Sequence, residues 1–470
     1  MKRLVLALVF AAVAAGTGCR KSTTYQRPSV PTPQTFRGVP PSASAGDTAS
    51  LGDSKWFDVF QDEALRRLIR RAETHNYDVR EAVARVAAAQ AAVGITRADQ
   101  LPTTNVAVDA TTLRISRGGN FPLPPGVQQN RTFGSVAANL LSYEVDIWGR
   151  LRSATDAARA EVLAAEENRN AVRMMLVGDL AAAYFQLLGL DQELEIARRT
   201  LETREGSLRL IRLREERGLA TKLEVREGEQ LVYTATQVIP QIQQQIAQTE
   251  NRISLLTGAA PGEIERGVAL SAQQQPPEIP AGLPSALLER RPDIRAGEQQ
   301  LVAAQARIDA ARAAFFPRIS LTGLLGSQSN ALSSLFSPAT GVWQFVPQVS
   351  QPVFTGGRLR SQAELARSEQ QIAVVQYERA IQTAFREVAD ALAAHRHVRV
   401  IRGEQEMLLQ TLRDRARLSY LRYTRGVDPL LAALDADRDL FEAELALTRT
   451  RRDELVALVQ LYRALGGGWQ

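Results

Sequence analysis

The 470-residue chain has one cysteine, three histidines and an aromatic content of only 6%. A lone cysteine excludes an internal disulfide and any thiolate metal cluster. The histidines offer no metal pair: His395 and His397 stand two apart in a helical stretch, pointing to different faces, and His75 is remote in sequence. No Ser/His/Asp set and no convergent carboxylates mark a catalytic centre, so the chain does not read as an enzyme. Gly466–Gly468 end a helical stretch with no strand before them and no Lys-Ser or Lys-Thr after, which excludes a phosphate cradle. No cofactor is expected. Past the N-terminus no run of 18 consecutive apolar residues occurs, so no transmembrane helix is expected. Charge of either sign is not in excess: 57 Lys and Arg interleave with 51 Asp and Glu. That interleaving reads as solvated helix faces and not as a nucleic-acid surface.

What the chain does have is Ala, Leu, Arg, Glu and Gln, a mixture that favours long helices. It opens on Lys2-Arg3, an apolar run over Leu4–Ala15 and small residues ending at Cys19. These are the parts of a secretory signal over residues 1–18, too short to span a membrane. Cys19 sits where a signal peptidase leaves a lipidated N-terminal cysteine, although Gly16 stands where such signals usually carry Leu. An acyl anchor alone holds weakly, so firm attachment needs a second element. Residues 19–55 are rich in Pro, Ser, Thr and Gly and read as an extended arm, with a helical pattern beginning near Trp56.

The sequence also repeats itself. Asn76–Val106 lies over Arg291–Leu321 at an offset of 215, pairing Asp78 with Asp293, Arg80 with Arg295 and Pro102 with Pro317. The phrase GRLRS at Gly149–Ser153 recurs at Gly357–Ser361, and from there an offset of 208 carries Gly218 onto Gly426 and Gly258 onto Gly466. The chain is a tandem duplication, residues 56–290 and 291–470. Each copy predicts a helix of about 23 residues stopped by proline, a non-helical tract, a helix of up to roughly 68 residues, a glycine turn and a helix of roughly 39 residues. At about 1.5 Å per residue the long helix reaches roughly 100 Å. Its apolar residues Leu176, Leu180, Ala183, Leu187, Leu190, Leu194, Ala197 and Leu201 step by four and three, the period of a coiled-coil seam. Ile381, Phe385, Val388 and Leu392 do the same in the second copy.

The tracts at about 103–148 and 318–354 read as hairpins. Strands are expected over Asn105–Arg114, Leu140–Trp148, Arg318–Gly323 and Val342–Phe354, apolar on one face and polar on the other. A Gly- and Pro-dense loop, Ser116–Asn130, separates the first two. Such strands suit a barrel wall between lipid and water, but two hairpins cannot close a barrel, so chains would have to share one. They equally suit a small soluble β-domain at the end of a coiled coil, and Pro347 and Pro352 weaken the strand reading. Trp148 and Trp343 suit either an aromatic girdle or plain packing.

Leu287–Gly323, Gln351–Ser361 and the closing LYRALGGGW, Leu461–Trp469, resemble the outer membrane efflux proteins of the TolC type, in particular their lipoprotein (NodT-like) subgroup. The resemblance runs from Cys19 to Trp469. It implies a mainly helical fold with membrane β-structure: a homotrimer whose shared 12-strand β-barrel continues into a 12-helix periplasmic α-barrel. A belt drawn from the N-terminal arm and Ala259–Ala286 would surround it. It implies an outer-membrane exit duct docked to a periplasmic adaptor and a resistance-nodulation-division pump, conducting drugs or other toxic compounds. Palmitate on Cys19 is implied as well. In this family the periplasmic end closes on acidic side chains, arginines and an apolar constriction just after the last glycine turn. Here those positions fall on Asp435, Arg438 and Leu431, with Ala432 at a second acidic position and Glu227 as the first-copy equivalent of Asp435. A type I protein-secretion duct is the nearer alternative function. A lipid-anchored periplasmic scaffold is the more distant one, disfavoured by two complete copies of the repeat.

Overall fold

A computed structural model describes residues 25–33, 35–37, 50–116, 126, 129–273 and 284–469. Cys19, the signal segment and most of the Ser116–Asn130 loop lie outside them. The chain divides into two compact units, one built around the strands and one around the helical repeats.

The first unit holds 87–164 and 297–376 with a short N-terminal stretch. Its strands are β1 (Thr103–Arg114), β2 (Asn130–Glu144), β3 (Arg318–Ser329) and β4 (Gly341–Ser350), in one antiparallel sheet of order β1-β2-β3-β4. The central pairing, β2 with β3, joins the two copies of the repeat. Register makes two faces. Val106, Ala138, Leu325 and Trp343 stand in one row across the sheet, and Val106 and Trp343 are 72% and 79% exposed. The next residues along make the other face, which is mainly polar: Asn105, Asn139, Leu324 and Gln344 in one row, Asp109, Ser135 and Gln328 in another. These polar groups bond to one another, Asn139 Nδ2 donating to Asn105 Oδ1 at 3.1 Å and Ser135 Oγ to Asp109 Oδ1 at 2.5 Å. On that face Ala107, Ala137 and Gly326 adjoin, and a side chain at Gly326 would collide with the Val136 carbonyl.

Two strand expectations need correction. β2 starts at Asn130 and stops at Glu144, so Val145–Trp148 are not strand. Val145 N still donates to Ile319 O at 2.8 Å, but Trp148 turns its Nε1 onto the Pro317 carbonyl at 2.8 Å and stacks on Phe316. Its indole is packed. Similarly β4 ends at Ser350, before Gln351-Pro352, where a missing N–H would break the ladder. Pro347 is accommodated inside β4, an edge strand of this sheet.

The helices follow the repeat. α1 (Trp56–Val59), α2 (Glu63–His75) and α3 (Tyr77–Ala98) precede the first hairpin; α4 (Arg150–Glu216) and α5 (Lys222–Leu256) follow it. In the second copy α6 (Pro284–Arg290) and α7 (Pro292–Ala313) precede the strands, and α8 (Arg358–Thr424) and α9 (Leu430–Ala464) follow. GRLRS opens the long helix both times: Gly149 and Gly357 have φ of 77° and 85°, and their carbonyls accept from Ser153 and Ser361. Part of α4 is long and apolar enough to cross a membrane, but most of that part is buried against protein. Its apolar side chains serve the seam, since Leu176, Leu180, Ala183, Leu187, Leu190 and Ala197 are all buried.

The second unit comprises 29–86, 165–296 and 377–470. Its main core joins Trp56, Phe60, Leu65 and Ile69 to Leu180, Tyr184, Tyr377, Val459 and Tyr462. Asp62 organises the layer beside it. This buried carboxylate caps α2 through Ala64 N (2.9 Å) and Leu65 N (3.3 Å), and accepts from Tyr184 Oη (3.0 Å), Val268 N (2.9 Å) and Gln273 Nε2 (2.8 Å). One carboxylate thus ties a helix start, the long helix and the 267–273 segment together.

Candidate functional site

The turns that join the helical hairpins are built alike. At Gly218 (φ 70°), Gly218 N donates to Glu215 O at 2.9 Å and Leu219 N to Arg214 O at 2.8 Å. At Gly426 (φ 73°), Gly426 N reaches Tyr423 O at 2.9 Å and Val427 N reaches Arg422 O at 3.0 Å. Both are Schellman closures, which need the left-handed conformation that glycine adopts without strain. The helix starts that follow differ. Thr221 and Glu224 form a reciprocal capping box on α5, whereas α9 begins after Pro429 with no side-chain cap, and Ala432 stands where Glu224 stands in the first copy.

On α9, Leu431, Asp435 and Arg438 fall at i, i+4 and i+7 and share one face. The opposite face, with Leu430, Ala433, Ala436 and Phe441, is buried. Leu431 is 54% exposed, so the described residues leave this stripe uncovered. Arg438 Nη1 lies 3.2 Å from Asp435 Oδ1 and its Nη2 3.3 Å from Asp439 Oδ1. Asp439 is held in turn by Arg415 of α8 at 2.6 Å, and hydrogen bonding from Arg415 keeps its carboxyl below the ordinary range. Three of the four expected positions therefore come together. Glu227 lies apart from them in sequence, half-buried on α5 beside the first copy's turn, and the neighbouring Glu229 takes Arg212 (2.8 Å) and Arg226 (2.6 Å).

Four contacts with no signal in the sequence hold α9 to α4. Arg463 meets Asp179 at 3.2 Å, Arg449 meets Glu193 at 2.9 Å, Arg199 meets Glu444 at 2.7 Å and Arg204 meets Asp437 at 2.7 Å. These pairs fix an antiparallel register between the long helix of one copy and the last helix of the other. Arg204 is the buried one. Its Nη1 also donates to Leu231 O on α5 at 3.0 Å, and its guanidinium lies over the Phe441 ring. Asp437 is the repeat equivalent of Glu229, which the structure also pairs with arginine, but nothing in the sequence names Arg204 as its partner.

Long helical hairpins with a sheet that is apolar on one face are the parts of a TolC-like outer membrane channel subunit. The open state of the MtrE outer membrane channel of Neisseria gonorrhoeae matches at TM-score 0.87 and 32% identity, over 96% of this chain and 99% of that one. The family profile described as outer membrane efflux protein matches residues 68–259 and 283–467. The probable efflux pump outer membrane protein SepC of Pseudomonas putida is 38% identical over 464 residues, 96% of this chain and 95% of its own length. Outer membrane protein OprJ of Pseudomonas aeruginosa is 38% identical over 457 residues, covering 96% and 93%. The chain belongs to the outer membrane efflux protein family.

Proposed function

We propose that three copies of the chain share one 12-strand barrel in the outer membrane, continued by a 12-helix tunnel, as the passive exit duct of a tripartite efflux pump. The observation that carries this reading is the four-stranded sheet, whose apolar row is exposed and whose outer strands β1 and β4 each have one edge with no partner strand among the described residues. Unpaired strand edges cannot stand in lipid, and closure among copies removes them. The polar face of the same sheet then lines water.

Energy comes from an inner-membrane resistance-nodulation-division transporter, engaged through a periplasmic adaptor. Cargo is small and toxic, in keeping with relatives named for toluene and antibiotic efflux. Cys19 carries the lipid, which supplements the barrel. The α9 stripe is the gate: three Leu431 side chains narrow the tunnel, three Asp435 carboxylates favour cations there, and Arg438 holds each Asp435 in place. Glu227 contributes from the first copy's corresponding turn. Opening separates the two helical hairpins.

The test replaces residues 1–19 by a cleavable secretory signal without cysteine, followed by envelope fractionation and an alkaline carbonate wash. Retention in the outer membrane as a trimer is expected. Release as folded soluble protein would show that the lipid was the only anchor, and a periplasmic scaffold would replace the duct.

A further inference from the structure

A cavity of about 460 Å³ lies among the ends of all four long helices of the second unit. α4 contributes Arg204, Leu208 and Ile211, α5 Gly228, α8 Tyr423 and α9 Leu430 and Leu434. Its size falls in the range of small-molecule sites, and its wall is mainly apolar. Two of the residues that line it each carry a polar atom that is buried without a partner among the described residues: Arg204 Nη2 and the Tyr423 hydroxyl. Both residues are only 4% exposed. A buried donor left unpaired is costly, and it is uncommon in a settled core. The rest of the Arg204 guanidinium is anchored, its Nε donating to Asp437 and its Nη1 to Leu231 O.

Charge around the cavity is predominantly positive. Arg204, Arg413 and Arg417 line it against one carboxylate, Asp437. Asp437 is already committed to Arg204, and the partners of Arg413 and Arg417, Glu444 and Asp414, do not line it. Two free donors in a positive, apolar-walled space call for an acceptor with negative charge on an apolar body.

We propose that this cavity is a binding site for an amphipathic organic anion, of the aromatic carboxylate class, whose carboxylate accepts from Arg204 Nη2 and Tyr423 Oη while its ring fills the space beside Leu208, Ile211 and Leu434. Such an occupant touches α4, α5, α8 and α9 at once and bridges the ends of both helical hairpins. The inference needs only these four helices and stands whether or not the chain is an efflux duct.

The probe is 6-bromo-2-naphthoate, titrated into the purified full chain in detergent and soaked into its crystals for bromine anomalous maps. One bromine site per chain inside the cavity is expected. Tyr423→Phe removes one donor and no partnered group, so it should fold as the wild type and bind about tenfold more weakly, the loss of one charge-assisted hydrogen bond. Ala433→Phe, which fills the space, should abolish binding, and 2-bromonaphthalene, which lacks the head group, should bind at least about tenfold more weakly. The proposal is overturned by bromine density elsewhere or none, by equal affinity of Tyr423→Phe and wild type, by equal affinity for the headless hydrocarbon, or by side chains of a neighbouring copy filling the cavity.

Discussion

Asp62 shows how much one carboxylate can hold. Burial alone would raise its pKa, but hydrogen bonds from Gln273, Val268, Leu65 and Tyr184 outweigh that and set it below the ordinary carboxylate value. A depressed folded-state value stabilises fully above the unfolded pKa of about 3.9 and is lost as pH falls through the folded one. Asp62→Asn should therefore cost about 2 kcal/mol near neutral pH, with its acid-denaturation curve converging on the wild type below about pH 4. The Arg204–Asp437 pair makes a second case. Asp437→Ala strands a buried guanidinium and should cost about 3 kcal/mol, whereas Arg204→Met with Asp437→Leu should recover most of it. A double-mutant cycle by urea unfolding measures the coupling, and additive losses would show that the two groups act independently. Neither contact could be read from sequence. Asp62 and Val268 are 206 positions apart, Arg204 and Asp437 233, and nothing local in either neighbourhood names its partner.

The helical elements were legible because their signals are local. Prolines stop the short helices, glycines in the left-handed region end the long ones, and the seam shows as alternating steps of three and four. The expected spans of 23 and 39 residues are 22 and 35 in the structure, and the 67-residue helices lie one residue inside their expected bounds. β2 was misplaced for a physical reason. Gly134, Ser135, Ala137, Ala138 and Asn139 have little strand propensity of their own, and pairing with β1 and β3 makes them strand. Val145–Trp148 alternate well but lie beyond the end of the ladder. The two hairpins also predict an asymmetry. Thr221→Ala breaks the α5 capping box and should cost about 1 kcal/mol, speeding amide exchange in the first turn of α5. Pro429→Ala at the start of α9 removes no side-chain cap and should leave exchange there unchanged; equal effects at both turns would refute the asymmetry.

In the proposed assembly, copies of the chain complete what the described residues of one chain leave open: two sheet edges, an exposed apolar row and an uncovered stripe of Leu431, Asp435 and Arg438. The repeat was visible in sequence at two offsets, but its use was not, since the same amphipathic strands could have closed a small soluble domain. The exposed row of Val106, Leu325 and Trp343 favours lipid. If Asp435 rings the tunnel, Asp435→Asn should reduce cation-over-anion selectivity severalfold without lowering the thermal midpoint, because its carboxylate pairs only at a half-exposed surface. Reversal potentials in a salt gradient give that ratio. The most direct measurement is single-channel recording of the purified full chain in planar bilayers, wild type beside Leu431→Ala. Discrete conductance steps that grow when Leu431 is cut back are predicted; folded protein that inserts no conductance in either form would contradict the duct.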